Sequence, residues 1–93
     1  MLDDLKKPCA FLIKLGAPLE TNKEILAFLT SRNISVNTMH LQCLNEKEGI
    51  LIIHCLLEKD RIRYTIQKLE KIKGIHELEI LESKGTHLLK GEK

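Results

Sequence analysis

Two short, nearly continuous apolar runs constrain the fold of this chain more than any other feature of its sequence. They are CAFLIKL at residues 9–15 and ILIIHCLL at residues 50–57. Each run is too short to span a bilayer or to form a typical buried helix, but it has the length of a buried strand. Because side chains alternate along a strand, both faces of each strand would be apolar. The sequence therefore predicts two central strands in a chain of 93 residues, which is long enough for one domain.

A first helix is predicted between these two runs. Gly16-Ala17-Pro18 breaks the first strand, and Thr21 to Glu24 (TNKE) has the pattern of a capping box. Asn33 is expected to end the helix in a left-handed conformation. The helix would present one apolar face, made of Ile25, Leu26, Phe28 and Leu29.

A second helix is predicted over residues 59–73. Asp60 is its expected N-cap, Lys71 and Lys73 would lie in its last turn, and Gly74 would supply its C-terminal stop. Its buried stripe would consist of Ile62, Ile66, Leu69 and Ile72.

Two alternating segments complete the set of elements. Residues 34–43 change phase near Asn37-Thr38, and a bulge there would keep every apolar residue of the segment on one face. The polar turn NEKEG at residues 45–49 leads into the second apolar strand. The segment IHELEILE at residues 75–82 is typical of an edge strand, and Glu77, Glu79 and Glu82 would be solvated there and discourage pairing with another strand. The residues that the bulge would align are Ile34, Val36, Met39, Leu41 and Cys43.

The resulting β-α-β-β-α-β order predicts an α+β, ferredoxin-like fold with a four-stranded antiparallel sheet and two helices on one face. We expect this domain to cover residues 8–83, between a flexible N-terminus (1–7) and a flexible C-terminal tail (84–93). In this topology the two most apolar strands lie in the middle of the sheet. Because helices would cover only one of its apolar faces, we expect at least a homodimer.

The composition argues against several classes of function. The net charge is only +2, and 3% of the residues are aromatic, so we expect neither nucleic acid nor a membrane as partner. The loop after the first strand lacks the arginine that an acylphosphatase needs. Three widely spaced cysteines in apolar runs and an N-terminus without an apolar signal sequence indicate a reducing compartment, the cytoplasm. No arrangement of residues typical of a catalytic site is visible.

Two interpretations of the histidines and cysteines stay open. His40, His54, Cys43 and Cys55 lie on strands that should pair, so they could in principle meet a zinc ion. The simpler interpretation is that Cys9, Cys43 and Cys55 are small core hydrophobes and that the protein binds no metal. The irregular spacing favours the second interpretation.

The loop from Leu15 to Asn22 also has two interpretations. Free backbone N–H groups at the start of the first helix could hold a carboxylate, such as that of an amino acid. From the residues alone, an ordinary capped turn is the favoured interpretation.

At the level of element order, length and local motifs, the chain resembles the ACT domain family. Within that family it is most similar to the short small subunits of acetohydroxyacid (acetolactate) synthase. The similarity covers residues 9–83. Its best stretch is ILAFLTSRNISVNTM at residues 25–39, and LEKIKGI at residues 69–75 resembles the family's last helix and its exit.

The effector loop departs from the pattern of ACT domains that bind amino acids. The resemblance maps the loop onto Gly16, Ala17, Pro18, Leu19, Glu20, Thr21 and Asn22, with Asn33 and Ser35 after the first helix. Glu20 stands where those domains have glycine, Ala17 replaces the asparagine that meets the amino acid, and Ser35 replaces another asparagine. The Glu-Thr pair is similar to the small subunit of the valine-insensitive isozyme.

The resemblance therefore implies a non-catalytic small subunit in branched-chain amino-acid biosynthesis that activates or assembles a large catalytic subunit by protein contact. Thiamine diphosphate, flavin and magnesium would belong to that large subunit, and this chain would need no cofactor. ACT-like domains pair through the first helix and second strand, here residues 21–32 and 34–43. The expected interface residues are Ile25, Phe28, Leu29, Val36 and Met39. The alternatives are a free-standing ACT-like homodimer that binds a small ligand, and a metal-binding or enzymatic domain of the same fold.

Overall fold

A computed structural model describes residues 6–82 of the chain. The elements are β1 (Lys6–Gly16), α1 (Pro18–Ser31), β2 (Ser35–Cys43), β3 (Glu48–Glu58), a 3-10 turn (Lys59–Arg61), α2 (Ile62–Glu70) and β4 (Ile75–Glu82). The predicted order of elements is confirmed. Because β1 begins at Lys6, the strand starts two residues before the predicted domain boundary. The rest of the predicted N-terminal segment and the predicted tail lie outside the described residues.

The four strands form one antiparallel sheet with the order β2-β3-β1-β4. This is the predicted ferredoxin-like topology, and β1 and β3 are its central strands. Phe11, Ile13, Leu51 and Ile53 have no exposed surface and lie on the helix side. On the opposite face, every residue of β1 and β3 except Ala10 is half-buried or exposed, so both helices cover one face only.

The core forms between this helix side of the sheet and the two helices. α1 contributes Ile25 and Leu29, and α2 contributes Leu69, all with at most 1% of their surface exposed. Thr65 on α2 is also buried, although the periodicity of the sequence did not identify it. The other members of the predicted stripe, Ile62, Ile66 and Ile72, are partly buried and pack against this core.

The predicted bulge in β2 is confirmed. Val36 pairs with Cys55 and Thr38 pairs with His54, so Asn37 is the extra residue. Met39 and Leu41 then face Ile53 and Leu51 on the helix side. The bulge thus keeps the apolar residues before and after it on one face of the strand.

The predicted start of α1 is wrong. The helix begins at Pro18, and Ala17 precedes it with a positive φ of 45°. Thr21 therefore lies inside the first turn, where its hydroxyl donates to the carbonyl of Gly16 at 2.6 Å instead of capping the helix. The backbone N–H at the first position of a helix has no partner within the helix. Proline lacks this N–H, so Pro18 is well suited to start the helix. The predicted end is confirmed, since Asn33 has a φ of 58°.

The predicted ends of α2 are also wrong. A 3-10 turn occupies its first residues, and no side chain, including that of Asp60, caps either element. The helix ends at Glu70, so Lys71 and Lys73 lie beyond its last turn.

Two glycines predicted in turns are needed for close contacts instead, and neither has a positive φ. Gly49 lies in β3, where a Cβ atom would come within 2.7 Å of the Pro18 Cβ. A Cβ on Gly74 would collide with the Thr21 side chain. Gly16 also donates its N–H to the Gly74 carbonyl at 2.8 Å. Both glycines thus let neighbouring segments approach the start of α1 closely.

Neither helix within residues 6–82 is long and apolar enough to cross a membrane.

Replacing Ile53 with alanine should destabilise the fold far more than the same change at Ile52. Ile53 is fully buried on the helix side, whereas Ile52 is half-buried on the other face. We expect Ile53→Ala to lower the free energy of unfolding by about 2–5 kcal/mol and Ile52→Ala by about 1 kcal/mol. Denaturant unfolding of both variants measures the difference. Equal losses would show that the open face of the sheet is packed as tightly as the core.

Candidate functional site

A groove of the described chain lies where β1 passes into α1. It has a volume of about 570 Å³ and is lined by Ala17, Pro18, Leu19, Glu20, Cys43, Asn45 and Glu46. One wall is thus the first turn of α1, and the other is the end of β2 with the turn that follows it. We call this site the acidic groove.

The wall formed by α1 is held in place by backbone contacts. Thr21 donates its backbone N–H to the Ala17 carbonyl at 2.9 Å, and its hydroxyl donates to the Gly16 carbonyl. Pro18 packs on Gly49 of β3, which joins the two walls. The Thr21 side chain is buried, and its hydroxyl proton is used in the hydrogen bond to Gly16, so the hydroxyl cannot donate to a ligand. The start of the helix is therefore a closed, hydrogen-bonded turn.

The side chains around the acidic groove carry negative charge only. Glu20 and Glu46 are both exposed at its rim, and no lysine, arginine or histidine among residues 6–82 lines it. The remaining walls are largely apolar, with Leu19 65% exposed. Two carboxylates at the rim disfavour the binding of another carboxylate. This groove is chemically better suited to an apolar, neutral or cationic group.

The structure brings only part of the predicted effector loop into the groove. Ala17 to Glu20 line it, whereas Thr21 is buried and Asn22 is half-buried. Asn33 and Ser35 follow the opposite end of α1, which is about 20 Å long, so they lie away from the groove within one chain.

Three lining residues, Cys43, Asn45 and Glu46, were not part of the predicted effector loop. The register of the β2–β3 hairpin is the feature that could have identified them. Cys43 pairs with Gly49, and Gly49 is the residue that Pro18 approaches. A prediction that paired Cys43 with Gly49 and placed Gly49 in the strand would have put these residues beside the effector loop.

The predicted interface residues fall into two groups. Ile25 and Leu29 are buried in the chain's own core, with at most 1% of their surface exposed, so they have no surface to offer a partner. Phe28, Val36 and Met39 are half-buried. The interface itself stays a prediction.

The residues considered for a zinc site are divided between the two faces of the sheet. Cys55 lies on the helix side, buried opposite Cys9. His54 and His40 point from alternate positions to the open face, so they do not converge with Cys55. Within residues 6–82, no three His, Cys, Asp or Glu side chains are grouped to hold a metal ion.

The three thiols differ in environment. Burial raises the pKa of Cys55 to about 12, with a smaller contribution from Cys9, and burial also raises the pKa of Cys9. The prediction of core hydrophobes is therefore right for these two. It is wrong for Cys43, which is exposed in the acidic groove at the end of an edge strand.

Neither a family model nor a curated protein sequence matches this chain. Solved structures do resemble it. The ACT domain from GTP pyrophosphokinase of Chlorobium tepidum superposes with a TM-score of 0.70 at 14% identity, over 84% of this chain and 89% of that chain. The C-terminal domain of the MgtC protein from Mycobacterium tuberculosis gives 0.64 at 12% identity, over 83% and 87%.

A homoserine dehydrogenase from Thiobacillus denitrificans superposes with a TM-score of 0.63 at 14% identity. The match covers 85% of this chain but 18% of that chain, so it concerns one segment of a longer protein. Together these structures support an ACT-like, ferredoxin-like fold. At such low identities the similarity concerns the fold alone.

Cys43 should be the first thiol to react with a thiol reagent in the native protein. Its side chain is exposed, whereas Cys9 and Cys55 are buried and their thiolates are suppressed. Absorbance measured with a chromogenic disulfide should show one fast thiol per chain, and all three after unfolding. The Cys43→Ser variant should lose the fast phase. A fast phase that survives in this variant would mean that a core cysteine is accessible.

Proposed function

We propose that this chain is a non-catalytic regulatory and assembly subunit that acts by protein contact as an ACT-like homodimer. More narrowly, we propose that it is the small subunit of an acetohydroxyacid (acetolactate) synthase. The observation that carries the general proposal is the β2 edge of the sheet, which no further strand of residues 6–82 covers. The sequence resemblance supports the choice of enzyme.

The β2 edge has no charged protection against pairing. From Ser35 to Cys43 the strand contains no aspartate, glutamate, lysine or arginine. The opposite edge strand, β4, carries exposed Glu77 and Glu79. Edge strands of monomeric proteins usually carry charges, because unpaired backbone groups recruit further strands. The unprotected β2 edge therefore favours pairing with a second copy.

The surface of α1 adds apolar area to the same proposal. Leu19 and Leu26 are 65% and 44% exposed, and their spacing of seven places them on one side of the helix. Leu26 lay in the predicted apolar face of the helix but is turned outward. An exposed apolar row on a helix that packs against β2 suits a symmetric contact between two copies.

The acidic groove supports a role without amino-acid sensing. A branched-chain amino acid has a carboxylate, and the residues of 6–82 that line the groove offer it Glu20 and Glu46 but no side-chain cation. The Thr21 hydroxyl, which could have donated to the ligand, is bound to Gly16. Losing a charge-assisted hydrogen bond costs about 1.5–3 kcal/mol of binding free energy. Compared with a site that donates such a bond to the carboxylate, this groove should bind an amino acid more weakly by orders of magnitude.

A free-standing module that binds a small ligand is the second candidate function. The acidic groove, at about 570 Å³, has the volume of a small-molecule site. Its two carboxylates favour a ligand with a cationic group, and its apolar walls favour an apolar group. The metal-binding alternative has no such observation in its favour.

The first test is the oligomeric state. Sedimentation equilibrium at micromolar concentration should show a dimer. Gln42→Lys, which places a charge on the exposed β2 edge, should weaken the dimer roughly five- to thirtyfold, because each cross-strand penalty of about 0.5–1 kcal/mol occurs twice in a symmetric pair. Gln67→Lys makes the same chemical change on the exposed side of α2 and should leave the dimer intact. A monomeric native chain would rule out this assembly.

The second test is calorimetric titration with valine, leucine and isoleucine. We expect no binding tighter than about 100 μM. The variant with both Glu20→Gln and Glu46→Gln removes the two charges at the rim and should bind these amino acids more tightly than the native chain. Glu24→Gln removes an exposed charge outside the groove and should change nothing. Tight binding by the native chain would contradict the inference from Glu20.

The same protein can be tested for assembly and activation. The chain should raise the activity of a cognate thiamine-dependent large subunit, and valine should not reverse this effect. Activation that is lost in Gln42→Lys and kept in Gln67→Lys would connect the dimer to the role. If the chain dimerises but neither binds nor activates any large subunit, the choice of enzyme is wrong and the free-standing module remains.

A further inference from the structure

We infer that a second, cationic cleft at the opposite end of the domain binds a phosphoryl group. The cleft has a volume of about 230 Å³ and lies where β1 begins, where α1 meets β2, and where β3 meets the 3-10 turn. Its lining residues are Lys6, Arg32, Asn33, Ile34, Leu56, Leu57, Glu58 and Arg61. Along the eleven residues of β1, it is about 30 Å from the acidic groove.

The charge of the cleft is the reverse of that of the acidic groove. Among residues 6–82, three cationic residues, Lys6, Arg32 and Arg61, and one acidic residue, Glu58, line the cleft. Within residues 6–82, no carboxylate forms an ion pair with either arginine. Behind them, the buried Ile34 and Leu57 form an apolar floor. A floor of low polarity strengthens the interaction between an entering anion and the arginines.

Arg32 is held in position before any ligand arrives. Its guanidinium lies 5.2 Å from the centre of the Phe28 ring and 5.9 Å from that of Tyr64. Contact with two rings limits the rotation of this long side chain. A planar guanidinium held in this way can present its N–H groups in a fork that matches two oxygens of an anion.

Arg61 approaches the cleft from the other side. It ends the 3-10 turn and immediately precedes α2, and no side chain caps the start of either element. The cleft thus contains two arginines that come from different segments of the chain. A position of Arg32 near the end of α1 would by itself only complement the helix dipole. That explanation does not account for Arg61 and Lys6 at the same cleft.

The chemistry and the size of the cleft select the ligand class. The backbone N–H groups of Arg32, Asn33 and Ile34 are bonded to carbonyls of α1, so these three groups are not available to an anion. Two guanidinium groups favour a compact, multiply charged oxyanion over a single carboxylate. The volume of about 230 Å³ is below that of a drug-sized site, so it fits a phosphoryl or diphosphoryl group and leaves the rest of a larger molecule outside.

The test is a titration of the isotope-labelled full chain with inorganic phosphate and pyrophosphate, followed by amide chemical shifts at constant ionic strength. We expect saturable shifts confined to Lys6 and to residues 32–34 and 56–61. Arg32→Gln and Arg61→Gln should each weaken binding roughly ten- to hundredfold, because each removes a charge-assisted contact. Arg32→Lys keeps the charge but loses the fork, and it should still weaken binding severalfold.

Arg63→Gln is the matched control. Arg63 is an exposed arginine on α2 outside the cleft, so this variant loses the same charge without touching the site. It should bind phosphate as the native chain does. Shifts that do not saturate, or equal weakening in Arg61→Gln and Arg63→Gln, would overturn the proposal in favour of general electrostatic attraction. If the site is confirmed, titrations with ADP and with a phosphoserine peptide distinguish a nucleotide from a modified protein as the source of the phosphoryl group.

Discussion

The antiparallel pairing of β1 with β3 is the interaction on which the rest of the structure depends. The two strands pair over their full length, from Lys6 opposite Glu58 to Gly16 opposite Glu48. Along this ladder, Phe11 faces Ile53 and Ile13 faces Leu51, and these side chains form the base of the core. The edge strands and both helices are then added to a surface that these two strands already define. The two apolar runs in the sequence are therefore the origin of the fold.

The sequence predicted the elements that depend on alternation and periodicity. The bulge at Asn37 followed from a change of phase that only one extra residue could reconcile with a single apolar face. The starts of the helices were mispredicted because local capping patterns gave way to tertiary contacts. Thr21 looked like a cap, but the approach of Gly74 and Gly49 to the first turn makes Pro18 the start and turns the Thr21 hydroxyl toward Gly16. Contacts between segments distant in sequence leave no local signal.

The candidate site was predicted less completely, for the same reason. The loop at Ala17 to Glu20 could be named from the sequence, and its acidic character could be read from Glu20. The second wall could not, because it depends on the register of the β2–β3 hairpin. The cationic cleft could not be predicted for a similar reason. Arg32 and Arg61 are 29 positions apart in the sequence, and they line one cleft only because α1 and β3 end at the same end of the sheet. The folded domain thus places opposite charges at its two ends.

The contrast between the two sheet edges also decides how far strand addition can continue. Glu77 and Glu79 project from β4, and Glu77 lies 3.5 Å from Lys14 of the neighbouring strand. A further chain that adds to β4 would have to pass this row of carboxylates, whereas a chain that adds to β2 meets no fixed charge. Head-to-tail stacking of β2 on β4 would generate an endless ribbon, and the acidic edge opposes it. If the chain pairs through β2 as proposed, one uncharged edge and one acidic edge favour a closed pair over a polymer.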